Sequence, residues 1–401
     1  MQIVSKQIES FQQSSSWIRR VFEAGIELKK KYGADNVCDF SLGNPDLVPP
    51  AGIISALRKL ADDVNRPAGI GYMPNAGYAD VREGLAKYLS KEQGVQFEGG
   101  HLVITCGAAG GLNALFRATL TPGEEVLCPA PYFVEYGFYV GNYGGVLKPV
   151  PSDPDNGFHL NLAGFEAAIT EKTRAVIVNT PNNPSGVIYT QDELAALGEI
   201  LRKATAKYGR PIILISDEPY RFLAFDGAVV PPVMPLYEYT VIVGSFSKNL
   251  ALAGERVGYV AVNPAMAEGK TLVAGVTMTN RILGFVNAPC IGQKLMLAAL
   301  GEQADTTAYK SRRRKMAAVL DAAGIEYTMP AGTFYFFPKA PGGMDDVAFV
   351  NMLAEERILV VPGSGFGFPG YFRIALCVDE KFIDQSLEGF RRAVAKSSAR
   401  K

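Results

Sequence analysis

A lysine preceded by two serines follows the short apolar run 240–244. Ser245, Ser247 and Lys248 come first, and Arg256 follows in the same loop-like segment. Hydroxyl groups and a guanidinium can bind a phosphate, and a lysine in a desolvated pocket can lose its proton and attack a carbonyl carbon. A loop lysine taken alone indicates only an exposed side chain. Together the four residues predict a site for a ligand that carries both a phosphate and an aldehyde.

Two further charged residues lie in apolar surroundings. Asp217 ends the apolar run 212–217, where a carboxylate without a partner would be costly. A helix N-cap is the other interpretation of this aspartate. Arg373 lies inside the apolar run 371–376, and a buried guanidinium needs an anion. That anion is either a structural carboxylate or the carboxylate of a ligand, and the sequence pattern leaves both open.

The elements that must position these residues are visible as short apolar runs rich in β-branched residues. The predicted strands cover residues 102–105, 126–129, 146–150, 175–179, 212–217, 240–244 and 257–262. Helical patterns separate most of them, and such runs are typical of strands buried on both faces of a mostly parallel sheet. The pattern predicts an α/β fold that binds ligands beyond the carboxyl ends of its strands.

The clearest predicted helix covers residues 191–207. Thr190 and Glu193 have the spacing of a capping box, and Gly209 is suited to end the helix. A second helical pattern, 308–323, contains the basic run 310–315, which we interpret as a solvated helix face and not as a nucleic-acid site.

The regular alternation of predicted strands and helices ends at about residue 301. Strands are predicted at 333–337, 358–361 and 372–378, with helices at 347–357 and 380–396. This region is therefore expected to form a smaller α+β unit. Gly365, Gly367 and Gly370 satisfy G-x-G-x-x-G literally, but Pro369 and the strand pattern that follows predict a turn and not a dinucleotide site.

Composition excludes several classes of protein. The chain has 401 residues, with 40 Lys+Arg against 40 Asp+Glu, and this zero net charge argues against a nucleic-acid or membrane-surface protein. Two histidines make a His-rich metal centre improbable, so no metal is expected. Five widely spaced cysteines, without a signal peptide or an apolar span, predict reduced thiols in a cytoplasmic protein.

The lysine segment resembles the signature of class I/II aminotransferases, the fold-type I pyridoxal-phosphate enzymes, and is similar to aspartate aminotransferases. Further motifs of that family occur in order at residues 41–45, 105–112, 179–186, 216–220 and 371–374. The resemblance covers about residues 40 to 390. It implies a large cofactor-binding domain, residues 49–300, with a mostly parallel seven-stranded sheet between helices. It also implies a small α+β domain made of residues 1–48 and 301–401.

The resemblance implies a role for each residue that matches a motif. Lys248 forms a Schiff base with the aldehyde of pyridoxal 5'-phosphate and then acts as acid and base. Asp217 faces the ring nitrogen, while Tyr220 and Asn183 bind the ring hydroxylate. The phosphate is bound by Gly107, Ala108, Ala109, Ser245, Ser247 and Arg256.

Two tyrosines are matched to contacts around the cofactor. Tyr132 is expected to stack on the ring, and a core aromatic is the other interpretation, because Phe133 and Tyr136 are adjacent. Tyr72 is expected to reach the phosphate of a neighbouring subunit. The resemblance thus implies a homodimer with shared active sites.

The substrates implied are an L-amino acid and a 2-oxo acid. Arg373 is expected to bind the α-carboxylate, with Gly43 and Asn183 beside it. Trp17 is expected to close over the site, and an N-terminal anchor packed on the surface is its other interpretation. Ile282 falls where dicarboxylate-specific relatives place an arginine of the partner subunit, and Arg281 is adjacent. A dicarboxylic, neutral or aromatic donor therefore remains open.

Two other functions remain as alternatives. A β-lyase or a decarboxylase would use the same lysine, aspartate and arginine. An aminotransferase-like sensor domain of a transcription regulator would need a DNA-binding domain, for which the chain has little room before the first motif and no basic face.

Overall fold

The structure, a computed structural model, describes residues 3–14, 16–65, 67 and 69–399. Its α-helices are α1 (Lys6–Ser14), α2 (Ser16–Tyr32), α3 (Ala51–Asp63), α4 (Ala79–Gln93), α5 (Gly107–Thr119), α6 (Glu135–Gly141), α7 (Leu162–Ala168), α8 (Gln191–Tyr208), α9 (Gly269–Ile282), α10 (Cys290–Ala298), α11 (Thr307–Ala323), α12 (Asp346–Glu355) and α13 (Glu380–Ser398). Its β-strands are β1 (Cys38–Asp39), β2 (Leu102–Cys106), β3 (Glu125–Ala130), β4 (Val146–Pro151), β5 (Thr173–Asn179), β6 (Ile213–Asp217), β7 (Thr240–Ser245), β8 (Val257–Val262), β9 (Tyr335–Phe336), β10 (Ile358–Leu359), β11 (Val361–Pro362) and β12 (Phe372–Ala375).

Seven strands form one large sheet in the order β2-β8-β7-β6-β5-β3-β4. Only β8 runs antiparallel to its neighbours in this sheet, β2 and β7. The predicted α/β fold with a mostly parallel seven-stranded sheet is confirmed. Since β2, β5, β6 and β7 point the same way, their carboxyl ends meet at one edge of the sheet.

Both faces of the large sheet are buried under helices. Side chains that alternate along the strands face α5 on one side and α8 on the other. The α5 side carries Val126, Cys128, Ile177, Ile215 and Val243, and the α8 side carries Leu127, Val176, Val178, Leu214 and Ile242. Burial on both faces explains why these strands are nearly continuous apolar runs in the sequence.

Helix α8 begins and ends as its sequence predicts. The Thr190 Oγ1 accepts a hydrogen bond from the Glu193 N–H at 3.2 Å, and the Glu193 carboxylate accepts one from the Thr190 N–H at 2.8 Å. Gly209 closes the helix with φ of 65°, a left-handed conformation that costs glycine little. The predicted capping box is thus confirmed.

A second apolar core lies outside the large sheet. It joins Phe40 near the N-terminus to residues of α11, α12, α13 and β12. Two small sheets, β1-β10 and β11-β12-β9, border it. Tyr220, Leu223 and Phe225 also enter this core, although they belong to the segment predicted for the large domain. The division into two domains stays a prediction.

The interpretation of residues 310–315 as a solvated face is wrong for two arginines. Arg312 and Arg313 on α11 are only 9% and 7% exposed. Arg312 contacts Asp46 at 2.8 Å, and Arg313 contacts Asp226 at 2.7 Å. Burial is tolerated because each guanidinium meets a carboxylate contributed by a distant part of the chain.

The glycine-rich segment after β11 is a turn, as predicted. Residues Gly363–Phe366 form one turn of 3-10 helix, and Gly367 follows with φ of 68°. The chain then enters β12, so no helix begins there. Across the residues described, none of the helices has the length and apolar character needed to cross a membrane.

Candidate active site

A cavity of about 360 Å³ opens at the carboxyl edge of the large sheet. Eleven residues predicted from the sequence line it: Gly43, Ala108, Ala109, Asn183, Asp217, Tyr220, Ser245, Ser247, Lys248, Arg256 and Arg373. They come from both ends of the chain and from the carboxyl ends of four strands, β2, β5, β6 and β7. The fold therefore gathers residues that are far apart in the sequence into one space.

Lys248 follows β7 and is mostly buried. Its Nζ donates a hydrogen bond to the Gly43 carbonyl oxygen at 2.7 Å and lies 5.6 Å from the centre of the Phe334 ring. Burial lowers the pKa of Lys248 to about 8, since removal from water disfavours the ammonium form. A substantial fraction of this amine is thus neutral near physiological pH.

Asp217 is the last residue of β6 and is 5% exposed. Its Oδ2 accepts a hydrogen bond from the Tyr136 hydroxyl at 2.6 Å, whereas its Oδ1 is buried without a partner. Burial raises the pKa of Asp217 to about 7, and the Tyr136 hydrogen bond opposes that shift. A buried acceptor without a donor is costly, so this oxygen is suited to a ligand donor.

Strand register places Asn179 beside Asp217, and Asn179 in turn binds Asn183. Asn179 ends β5 directly opposite Asp217, and its Nδ2 donates to the Asp217 carbonyl at 2.9 Å. The Asn179 Oδ1 accepts from the Asn183 N–H at 2.7 Å. These bonds hold the turn after β5, and with it the Asn183 side chain, against the cavity.

The start of α5 forms a second polar wall. Ala108 and Ala109 lie in its first turn, where N–H groups have no partner within the helix and favour anions. The Arg256 guanidinium donates to the Ser247 Oγ at 3.4 Å. A Cβ on Gly107 would lie 2.5 Å from the Arg256 Nη2, so only glycine lets the arginine approach this closely.

Arg373 on β12 is 7% exposed and reaches the same cavity. It donates to the Asn183 Oδ1 at 3.1 Å and to the Ser41 carbonyl at 2.8 Å, and its Nε has no partner. The Tyr335 and Phe366 rings lie 4.6 and 4.8 Å from the guanidinium carbon. No carboxylate of the described residues pairs with this cation.

Tyr220 lines the cavity through its position after β6. Its hydroxyl lies 3.3 Å from the Tyr335 hydroxyl, and burial raises the pKa of Tyr220 well above its ordinary value. The phenol is therefore protonated at physiological pH and can donate a hydrogen bond.

Tyr132 is not among the residues that line the cavity. Its ring lies beside Gly367, and its N–H donates to the Phe366 carbonyl at 3.1 Å. Phe133 lines the cavity instead, and Tyr136 supports Asp217. Sequence reasoning named both aromatics only as neighbours, because a shift of one residue after β3 decides which ring faces inward.

Three other predicted residues, Tyr72, Arg281 and Ile282, do not line this cavity. Tyr72 is 95% exposed and Ile282 is 56% exposed. Arg281 is exposed on α9 and contacts the Met278 sulfur at 3.4 Å. The Trp17 side chain lies outside the described part of the structure. Any contact of Tyr72, Arg281 or Ile282 with such a cavity would therefore need a second copy of the chain.

Comparison with known proteins agrees with this geometry. The sequence model of the family described as aminotransferase class I and II matches residues 35–390. The chain belongs to this family. It is 30% identical to the aspartate/prephenate aminotransferase of Thermus thermophilus over 93% of this chain and 94% of that protein. It is 29% identical to the aspartate aminotransferase of Bacillus subtilis over 92% of this chain and 94% of that protein.

A solved structure resembles the whole chain. The amino transferase of Eubacterium rectale superposes with a TM-score of 0.93 at 36% identity, covering 99% of both chains. The chain is accordingly a transaminase, and its family depends on pyridoxal 5'-phosphate.

The residues present fit this aminotransferase cofactor. The free Oδ1 of Asp217 is suited to a ring N–H donor, and Lys248 supplies an amine of lowered pKa. The α5 N-terminus with Arg256 is suited to a phosphate. Within the described ranges, no group of three or more His, Cys, Asp or Glu side chains could hold a metal ion.

Proposed function

We propose that this aminotransferase exchanges amino groups between L-amino acids and 2-oxo acids, with Lys248 acting at the substrate Cα and Arg373 binding the α-carboxylate. One observation carries the proposal. A lysine of lowered pKa, a buried carboxylate with a free oxygen and a buried guanidinium that pairs with no described carboxylate line the same cavity.

Lys248 is proposed to move the proton at the substrate Cα. A pKa of about 8 lets the amine accept a proton and release it again near neutral pH, as general acid–base catalysis requires. Its hydrogen bond to Gly43 keeps the amine at the cavity while no substrate is bound. Lys248 would take a proton from the amino acid and return one to the 2-oxo acid in the reverse half-reaction.

Asp217 is proposed to hold the cofactor ring nitrogen in its protonated form. Pyridoxal 5'-phosphate, when bound, withdraws electrons from the substrate Cα and makes its proton acidic. A positively charged donor next to Oδ1 would lower the pKa of Asp217, which burial, opposed by the Tyr136 hydrogen bond, raises to about 7. Tyr136 keeps the other oxygen in place.

The remaining lining residues are proposed to orient the ligands. Tyr220 and Asn183 would donate to the ring hydroxylate. The phosphate would be bound by Ala108, Ala109, Ser245, Ser247 and Arg256. Arg373 would present two N–H groups to the substrate carboxylate, and the aromatic rings beside it exclude water and strengthen that pair.

A homodimer with shared active sites is part of the proposal. Tyr72 is almost fully exposed and borders a second cavity of about 350 Å³, together with Ile70 and Phe285. An exposed aromatic and aliphatic patch of this kind is typical of an interaction surface. In such a dimer Tyr72 would contact the partner's phosphate. A cytoplasmic location is proposed as well, supported by five free cysteines.

Two classes of amino donor could be selected in the dimer, and each would need a different binding surface. The relatives named for aspartate suggest a dicarboxylic donor, which would need a second cation. Arg281 of a second copy is the proposed source, with Trp17 closing over the site. A neutral or aromatic donor would instead meet an apolar surface that includes Ile282.

A half-reaction tests the proposed function. The holoenzyme is mixed with single L-amino acids without an acceptor, and cofactor absorbance and 2-oxo acid release are recorded. We expect one equivalent of 2-oxo acid per active site and then no further turnover. Absence of any reaction, or continued release of ammonia as in a lyase, would contradict the proposal.

A further inference from the structure

Glu135 is a charged residue of the cavity that the proposed reaction does not use. It is the first residue of α6 and follows Phe133 and Val134, which line the same wall. The other charged residues of the lining are Asp217, Lys248, Arg256 and Arg373. Each of these four has a proposed role toward the cofactor or the α-carboxylate. Among the charged lining residues, Glu135 alone has no proposed role.

The Glu135 carboxylate has no hydrogen-bond or ion-pair partner among the residues that the structure describes. It is half-buried, and burial raises its pKa. Tyr139 lies one helical turn later and also lines the cavity. Because the two residues are four positions apart, their polar groups share one face of α6. Burial and then the nearby Glu135 charge raise the pKa of Tyr139.

This wall is unfavourable for a second substrate carboxylate. Arg373 is needed for the α-carboxylate, Arg256 contacts Ser247, and Arg281 does not line the cavity. A carboxylate beside Glu135 would meet a like charge, whereas an amide N–H would find a free acceptor. Specificity of this kind combines an attractive contact with repulsion of the competing group.

We propose that Glu135 is a specificity-determining residue that selects amino donors whose side chain ends in an amide over donors that end in a carboxylate. The inference rests on the proposed function, because it assumes that Arg373 binds the α-carboxylate. Asparagine and aspartate form the sharpest test pair, since they have nearly the same shape and differ in this terminal group.

The experiment measures kcat/KM of the holoenzyme for asparagine and aspartate in the wild type, Glu135→Gln and Glu166→Gln. Glu166 is an exposed glutamate on α7 and serves as the matched control. We expect the wild type to prefer asparagine by about tenfold or more, and Glu135→Gln to lower that ratio about tenfold, as a close like-charge contact is removed. Glu166→Gln should leave the ratio unchanged.

A binding measurement supplies a readout that does not depend on turnover. Succinamate and succinate are titrated into the holoenzyme by calorimetry. We expect succinamate to bind more tightly to the wild type, and the difference to shrink in Glu135→Gln.

Three results would overturn the assignment of Glu135. These are an aspartate preference in the wild type, a ratio that Glu135→Gln does not change, and an aspartate preference that Arg281→Ala abolishes. The last result would instead assign selection to a cation from a second copy. Failure of every amino acid to react would contradict the proposed function itself, whereas reaction without an amide preference contradicts only the role of Glu135.

Discussion

The arginines of α11 and the arginine of β12 are similarly buried but are paired with different groups. Arg312, Arg313 and Arg373 are 9%, 7% and 7% exposed. The first two each contact an aspartate, at 2.8 and 2.7 Å. Arg373 contacts only an amide oxygen and a carbonyl oxygen, and no described carboxylate pairs with it.

Two lysines differ in the same way, one being paired with carboxylates and the other not. Lys315 on α11 contacts Glu380 at 3.0 Å and Asp384 at 2.9 Å, and these contacts raise its pKa. Lys248 contacts a carbonyl oxygen, and burial lowers its pKa to about 8. In α11 the protein supplies the anions itself. No described carboxylate pairs with Lys248 or Arg373 in the cavity, and we propose that ligands supply the charges there.

Replacing a lysine should give the largest difference in activity between the cavity and α11. Lys248→Ala should lower kcat for transamination at least about 1,000-fold, since proton transfer and the cofactor bond are both lost. Lys315→Ala is the matched control and should keep activity within about twofold, because exposed ion pairs contribute little. Steady-state assays with purified holoenzymes measure this, and an active Lys248→Ala would contradict the mechanism.

The pH dependence of amine reactivity should differ between the same two lysines. In the apoenzyme about half of Lys248 is neutral at pH 8, whereas a lysine of ordinary or raised pKa is less than about 1% neutral there. Acylation at pH 8, followed by peptide mass spectrometry, should therefore label Lys248 about 100-fold faster if access is equal. The Lys248 rate should fall about tenfold per pH unit below 7, and a rate that still rises steeply above pH 9 would contradict the lowered pKa.

Loss of the hydroxyl behind Asp217 should have a smaller effect. Tyr136→Phe removes the 2.6 Å hydrogen bond to Oδ2, and hydrogen bonds to charged groups contribute about 1.5–3 kcal/mol. We expect kcat to fall about tenfold. Because this bond lowers the pKa of Asp217, the acidic limb of the kcat profile should also move to higher pH.

Tyr143→Phe is the matched control for that variant. The Tyr143 hydroxyl lies 3.3 Å from the Asn113 Oδ1 and does not line the cavity. Its pH profile should match that of the wild type. An acidic limb that stays in place in Tyr136→Phe would show that Tyr136 does not tune Asp217.

The smallest effect is expected at a paired arginine. Arg313→Ala removes contacts to Asp226, the Pro330 carbonyl and the Phe225 ring. Since Asp226 is mostly solvated, we expect a loss of about 1–2 kcal/mol in the free energy of unfolding, without a change in KM for the amino acid. Denaturant unfolding measures the first quantity, and a raised KM would contradict a purely structural role.

Much of the fold could be predicted because local patterns determine it. The runs that became β5, β6 and β7 are apolar on both faces, and the Thr190 capping box is satisfied within one helical turn. Asp217 ends one of these strands and Lys248 follows another. Because ligands bind beyond the carboxyl ends of parallel strands, the sequence alone predicted that these two residues lie close together.

Local patterns in the sequence do not reveal long-range contacts, and the wrong interpretation of Arg312 and Arg313 arose for this reason. Nothing near Arg312 in the sequence reveals Asp46, which lies 266 residues away. The choice between Tyr132 and Phe133 depends on how the loop after β3 packs on Gly367. Tyr72 and Arg281 depend on a second copy, and a single sequence does not reveal that geometry.

Arg373 pairs with no described carboxylate, and we propose that it binds the α-carboxylate of the substrate. The most direct measurement compares half-reaction kcat/KM for the best amino donor and for the matching amine that lacks the α-carboxylate, in the wild type and in Arg373→Ala. We expect the preference of the wild type for the amino acid to fall at least about 100-fold in Arg373→Ala, since a buried charge-assisted pair is lost. An unchanged preference in Arg373→Ala would contradict the claim.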